Sequence, residues 1–202
     1  RPDLVVDTGD NLGHRDAITP LISNLDELLE VPGVFVNGSN DYHAPVIRNP
    51  FTYLWRPSKV GASAALDTSR LVRELEQRGW LNLNNRGGTL TVKGLRIGFV
   101  GIDDRHDEYG DISSIAGSRA GLGEVDLLIG VTHAPYLDVI AAMGDAGSDV
   151  LFAGHTHGGQ VCMPGLGALT TNCDLPVRYA KGLSRWGSSK SVESDPKPMF
   201  LN

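Results

Sequence analysis

Gly154-His155-Thr156-His157-Gly158-Gly159-Gln160 follows directly on the apolar run Val150-Leu151-Phe152-Ala153. Four apolar residues stopped by glycine read as a buried strand. The strand therefore delivers two histidines, two residues apart, to a glycine-rich turn at its carboxyl end. Glycine lets backbone approach a ligand closely and tolerates positive φ. Neutral imidazole is the commonest biological metal ligand. Taken alone the stretch also reads as a turn that happens to hold two histidines, so its meaning depends on what other strand ends supply.

Three further tips have the same character. Leu4-Val5-Val6 runs into Asp7-Thr8-Gly9-Asp10-Asn11, and Val34-Phe35-Val36 runs into Asn37-Gly38-Ser39-Asn40-Asp41. The strand read over residues 126–131 ends in Thr132-His133-Ala134-Pro135. The carboxyl ends of strands are where α/β folds place their chemistry. The first tip also reads as an Asx-turn or a helix N-cap. A fourth polar pair, Asp103-Asp104, follows the strand at 95–102 and reads as a turn or as part of the cleft lining.

Between the tips, residues 17–30 read as one amphipathic helix, with Leu21, Leu25, Leu28 and Leu29 on one face. Residues 67–78 read as a second helix with Gly79 just past its end, and 137–146 as a third. Residues 80–102 carry hairpin signals and predict antiparallel strands. Residues 103–123 are Gly/Ser-rich and read as an exposed connection. Short strands with glycine turns are expected over 161–182, and a polar excursion over 188–197. The long connection at 43–60 holds Phe51, Tyr53, Leu54 and Trp55 and reads as a lid or as a side plug.

The chain has 202 residues, 41% hydrophobic and 21% charged, with a net charge of −6. That suits a globular domain with a real core. It argues against nucleic-acid binding by phosphate neutralisation. No apolar run approaches the roughly 18 residues of a membrane span. Cys162 and Cys173 do not make a disulfide framework. The opening Arg1-Pro2-Asp3 and the strand-like close at 199–202 read as cuts from a longer polypeptide, so the stretch is expected to be a single domain over 1–202, trimmed at both ends. βα units at both ends with hairpins between them predict a mixed α/β (α+β) four-layer sandwich: two facing mixed sheets with helices outside.

Together the tips supply Asp10, Asn40, His133, His155 and His157: one carboxylate, one amide and three imidazoles. Such O/N donors without thiolate suit Zn, Fe or Mn. A Ser/His/Asp triad is the weaker reading, since no G-x-S-x-G elbow is present.

In order along the chain, Gly9-Asp10, Gly38-Ser39-Asn40-Asp41, His133 and Gly154-His155-Thr156-His157 resemble the calcineurin-like metallophosphoesterases. The surrounding residues look most like a bacterial branch of membrane-associated phosphoesterases. The resemblance implies the same sandwich and a binuclear centre of two divalent ions (Mn, Fe or Zn). It makes Asp10 the bridging carboxylate, with His133 and His155 on one ion and His157 on the other. It implies hydrolysis of a phosphoester by a metal-bound hydroxide, with Asp10, Asn40 and His155 as catalytic residues. The implied substrate is a small phosphoester or a phospholipid-like molecule, with membrane association left to segments outside this stretch.

Two departures from the family pattern follow. The family's Gly-Asn-His-Asp motif reads Gly38-Ser39-Asn40-Asp41 here: an ungapped match sets Asn40 at its histidine, a one-residue slip keeps Asn40 as ligand and sets Asp41 there, and either way the histidine is missing. Asn40 is preferred over Ser39 as ligand because a hydroxyl is a poor neutral donor. His14, His43 and His106 are candidates to replace the histidine, but each reads first as a surface residue. The family's upstream Asp-x-His is also absent, so one metal is expected to be held better than the other. A metal-binding or partner-binding module without catalysis remains the rival reading.

Overall fold

The computed structural model describes residues 1–45, 64–159, 161–163, 165 and 167–186, and the strand backbone of 197–201. The aromatic segment expected as a lid lies outside the described residues from 46 onward, as does the polar stretch 187–196.

Two sheets carry the fold. The smaller joins β1 (Val5–Asp7), β2 (Gly33–Phe35) and β3 (Leu81–Asn82) in that order, parallel throughout. The larger contains β4 (Gly87–Val92), β5 (Leu95–Gly101), β6 (Leu127–Thr132), β7 (Val150–Ala153), β10 (Gly182–Trp186) and β11 (Lys197–Leu201). Its order is β10-β11-β7-β6-β5-β4. β5, β6, β7 and β11 run parallel, and β4 and β10 close the edges antiparallel. A short hairpin, β8 (Cys162–Met163) with β9 (Gly167–Ala168), stands apart.

Strand alternation divides the apolar side chains into three layers. Val34, Val36 and Leu83 meet Ile97, Phe99, Ile129 and Val131 between the sheets. Phe35, pointing the other way, packs with Ile18, Ile22, Leu71, Leu75 and Trp80 beneath α1 (Ile18–Asn24) and α4 (Thr68–Gln77). Val100, Ile102, Leu128 and Leu151 pack outward against α5 (Ser113–Gly121) and α6 (Leu137–Asp145) through Ile115, Val139, Ile140 and Met143. The result is the expected helix–sheet–sheet–helix sandwich. The three longer helices carry the outer faces.

Three local expectations change. The helix read over 17–30 is two pieces, α1 and α2 (Asp26–Leu29), broken at Leu25 with φ −91° and ψ 2°. β3 pairs with β2 in the parallel sheet and not with the β4–β5 hairpin. The connection at 103–123 contains α5. A Cβ on Gly87 would lie 3.0 Å from Ser118 Cβ, so small residues let this helix settle directly on β4. The hairpin itself is as read: Val92 pairs with Leu95 around Lys93 and Gly94, with φ 48° and 84°. Two positive φ values make the turn whose twist suits a two-residue hairpin. Cys162 and Cys173 are free thiols.

Candidate metal centre

The tips of β1 and β2 are tied together by one buried carboxylate. Asp41 lies in α3 (Ser39–Tyr42) and is fully buried. It accepts the backbone N–H groups of Asp10 (2.9 Å), Asn11 (2.7 Å), Leu12 (3.0 Å) and Gly38 (2.9 Å). Burial pushes its carboxyl up to about 7, while the Gly38 N–H pulls the other way. These bonds hold Asp10 at φ 65°, a region that a residue with a side chain visits only under constraint. Gly9 at φ 87° and Gly38 keep the two loops in contact: a Cβ on Gly38 would sit 2.4 Å from Asp10 Oδ1 and 2.7 Å from His133 Cε1. Asp7 accepts Gly9 N–H at 2.9 Å and the Asn11 amide at 3.0 Å, and burial raises its pKa.

The larger sheet brings the imidazoles. His133, at the end of β6, is 1% exposed, and its Nδ1 lies 2.8 Å from Thr8 O. A carbonyl only accepts, so Nδ1 carries a proton and Nε2 is turned toward the cleft. His133 Nε2 faces Asp10 Oδ1 at 3.5 Å and His155 Nδ1 at 3.3 Å. His155, at φ 69° past β7, places Nε2 3.3 Å from Asn172 O. Burial, then the neighbouring His133 and His106, hold the His155 pKa well below its ordinary value. His155 is therefore neutral at neutral pH. A proton on Nε2 would serve Asn172 O and leave Nδ1 as an acceptor.

Asn40 joins them: its backbone N–H donates to Asp10 Oδ1 at 2.8 Å and its amide nitrogen to Asp10 Oδ2 at 2.9 Å. Ser39 turns away and donates to Asp104 Oδ2 at 2.8 Å. His157, at φ 49°, is exposed and lines the same cavity, of about 460 Å³, as Asp10, His133 and His155. Thr8, Gly9, Gly154, Gly158 and Lys181 complete its lining.

His106 is not a surface residue: its ring lies 4.7 Å from that of His155, and its Nδ1 lies 2.8 Å from Tyr136 OH. His43 is half-buried, with Nε2 3.3 Å from Tyr109 OH. His14 is exposed, as expected. Asp104 is fully buried and holds the loop that follows, accepting His106 and Asp107 N–H. Asp103 accepts Tyr42 OH at 2.7 Å.

His133 Nε2 and His155 Nδ1 face each other beside the Asp10 carboxylate, an arrangement that a proton or a cation between them would bridge. Two nitrogens bound tetrahedrally to one ion at roughly 2.0–2.1 Å stand about 3.3–3.4 Å apart, and the observed 3.3 Å matches. Chemistry and spacing thus fit a divalent ion. The fit is incomplete, since among the described residues no three His, Cys, Asp or Glu side chains already surround a common metal position. The set meets as hydrogen-bonded neighbours that a cation would have to draw together.

No family model matches the chain. An uncharacterized metallophosphoesterase of Bacillus subtilis (strain 168), YkoQ, is 27% identical to it over 217 residues, covering 98% of this chain and 71% of that protein. This likeness supports the metallophosphoesterase family, and with it a phosphoester hydrolase, at family level.

Proposed function

We propose that the chain hydrolyses phosphoesters at a divalent-metal centre built on Asp10, Asn40, His133, His155 and His157. The observation that carries the reading is the facing pair of imidazole nitrogens, 3.3 Å apart, with Asp10 Oδ1 3.5 Å from one of them. Asp10, His133 and His155 would hold one ion and His157 would reach a second from the rim, with Mn, Fe and Zn all suited to the donors. Bound divalent ions lower the pKa of water and offset charge on the phosphoryl oxygens. The residues do the rest. Thr8 O fixes the tautomer of His133, as the partner of a ligating histidine does. Asn40 fixes the carboxylate of Asp10 through both of its oxygens. Burial keeps His155 unprotonated and able to donate its lone pair.

With Mn²⁺ added, the protein should turn over a chromogenic nitrophenyl phosphodiester. His155→Ala should cost at least about 100-fold in kcat/KM, as losing one well-placed electrostatic contact does. Turnover that ignores added metal, or survives in His155→Ala, would reject the reading.

One observation favours a metal-binding module without catalysis. Neither residue that the resemblance can set at the histidine position is a free acid: Asn40, on an ungapped match, has no proton to release, and the Asp41 carboxylate, on a one-residue slip, is held by four backbone N–H groups. Under that reading metal still binds and the same assay shows no turnover with any ion.

A further inference from the structure

Among the described residues that line the cavity, Lys181 alone carries a fixed positive charge. It stands 21 residues beyond the glycine-rich turn, so no motif spacing announces it. Its backbone is nonetheless anchored to that turn. Thr156, 1% exposed between the two histidines, donates its hydroxyl to Ala180 O at 2.7 Å. Ala180 is itself buried, and Gly182 at φ 82° starts β10 on the other side. The aliphatic stem of Lys181 runs over Gly158, where an added Cβ would stand 3.6 Å from Lys181 Cδ. Among the described residues no ion pair engages its ammonium. A cation at the mouth of an imidazole–carboxylate cleft, ion-paired with no carboxylate among the described residues, is suited to an anionic ligand.

We propose that Lys181 is the anion anchor of this cleft, holding a non-bridging oxygen of the substrate's phosphoryl group and favouring dianionic phosphomonoesters over monoanionic diesters. This rests on the hydrolase reading above and adds to it the charge class of the substrate. A charge-assisted hydrogen bond at a partly exposed site is worth on the order of tenfold in affinity, and a doubly charged phosphoryl group gains more from it than a singly charged one.

The direct probe is radiolabelled inorganic phosphate, measured by equilibrium dialysis with Mn²⁺ in mildly alkaline buffer, where the dianion dominates. Lys181→Gln should weaken binding about tenfold. Lys181→Arg should keep most of it, and Arg185→Gln, an exposed cation outside the cavity lining, should change nothing. In turnover, Lys181→Gln should raise KM for a nitrophenyl phosphomonoester more than for the diester, with kcat less affected. Phosphate binding that is equal in wild type and Lys181→Gln overturns the anchor while leaving the hydrolase reading intact. Lys181-dependent binding without turnover keeps the anchor and removes the hydrolase. Absence of phosphate binding in the wild type overturns the anchor as well. Lys181 is exposed, so unchanged melting of Lys181→Gln serves as the folding control.

Discussion

Asp41 sits one residue from a proposed ligand, yet its carboxylate never faces the cleft. Its four backbone bonds set the φ of Asp10 and join loops from two strands. Asp41→Asn keeps the shape but turns an NH₂ toward N–H donors. Leaving such buried donors unmet should cost about 2–4 kcal/mol, read by urea denaturation in chelator. A loss under about 0.5 kcal/mol, the range of ordinary surface changes, would show that the carboxylate does not hold the loops. The candidate ligands were legible because histidine, aspartate and asparagine after apolar runs are conspicuous. Asp41, Asp7 and Lys181 were not, because their parts depend on contacts across the fold. His106 looked like a surface residue because nothing local reports that its ring meets that of His155.

At the scale of elements, the parallel strands were legible from their apolar runs, and the hairpin from Lys93-Gly94. α5 was hidden because Gly117, Gly121 and its serines have weak helix propensity. Its small residues instead allow contact with β4 at Gly87. The break at Leu25 was hidden because leucines continue through it in helical period. The β2–α3 junction admits the sharpest test. Gly38→Ala places a methyl inside van der Waals range of Asp10 Oδ1 and His133 Cε1, so the carboxylate and imidazole must part. Metal-dependent turnover should fall by about 100-fold or more, with a stability loss of about 1–3 kcal/mol. Full activity in Gly38→Ala would mean that the contact between these two loops is not needed by the site.

The whole molecule works as two sheets held face to face by one apolar layer, with each sheet contributing half of the cleft. Asp10 and Asn40 come from the smaller sheet, and His133, His155 and His157 from the larger; the His133–Thr8 bond crosses between them. The layered fold could be read from the alternation of strands and helices. The meeting of the two halves could not, since the residues involved lie up to about 150 positions apart and only packing between the sheets brings them together. The −6 net charge is compatible with the proposed phosphate ligand because cations bound at the cleft would reverse the local sign. The central claim, that one cation is shared across the two sheets, is tested most directly by anomalous X-ray scattering from crystals grown with Mn²⁺. The account predicts a peak within coordination distance, about 2.0–2.3 Å, of His133 Nε2, His155 Nδ1 and an Asp10 carboxylate oxygen. A cleft without a peak, or a peak held by residues of only one sheet, would contradict it.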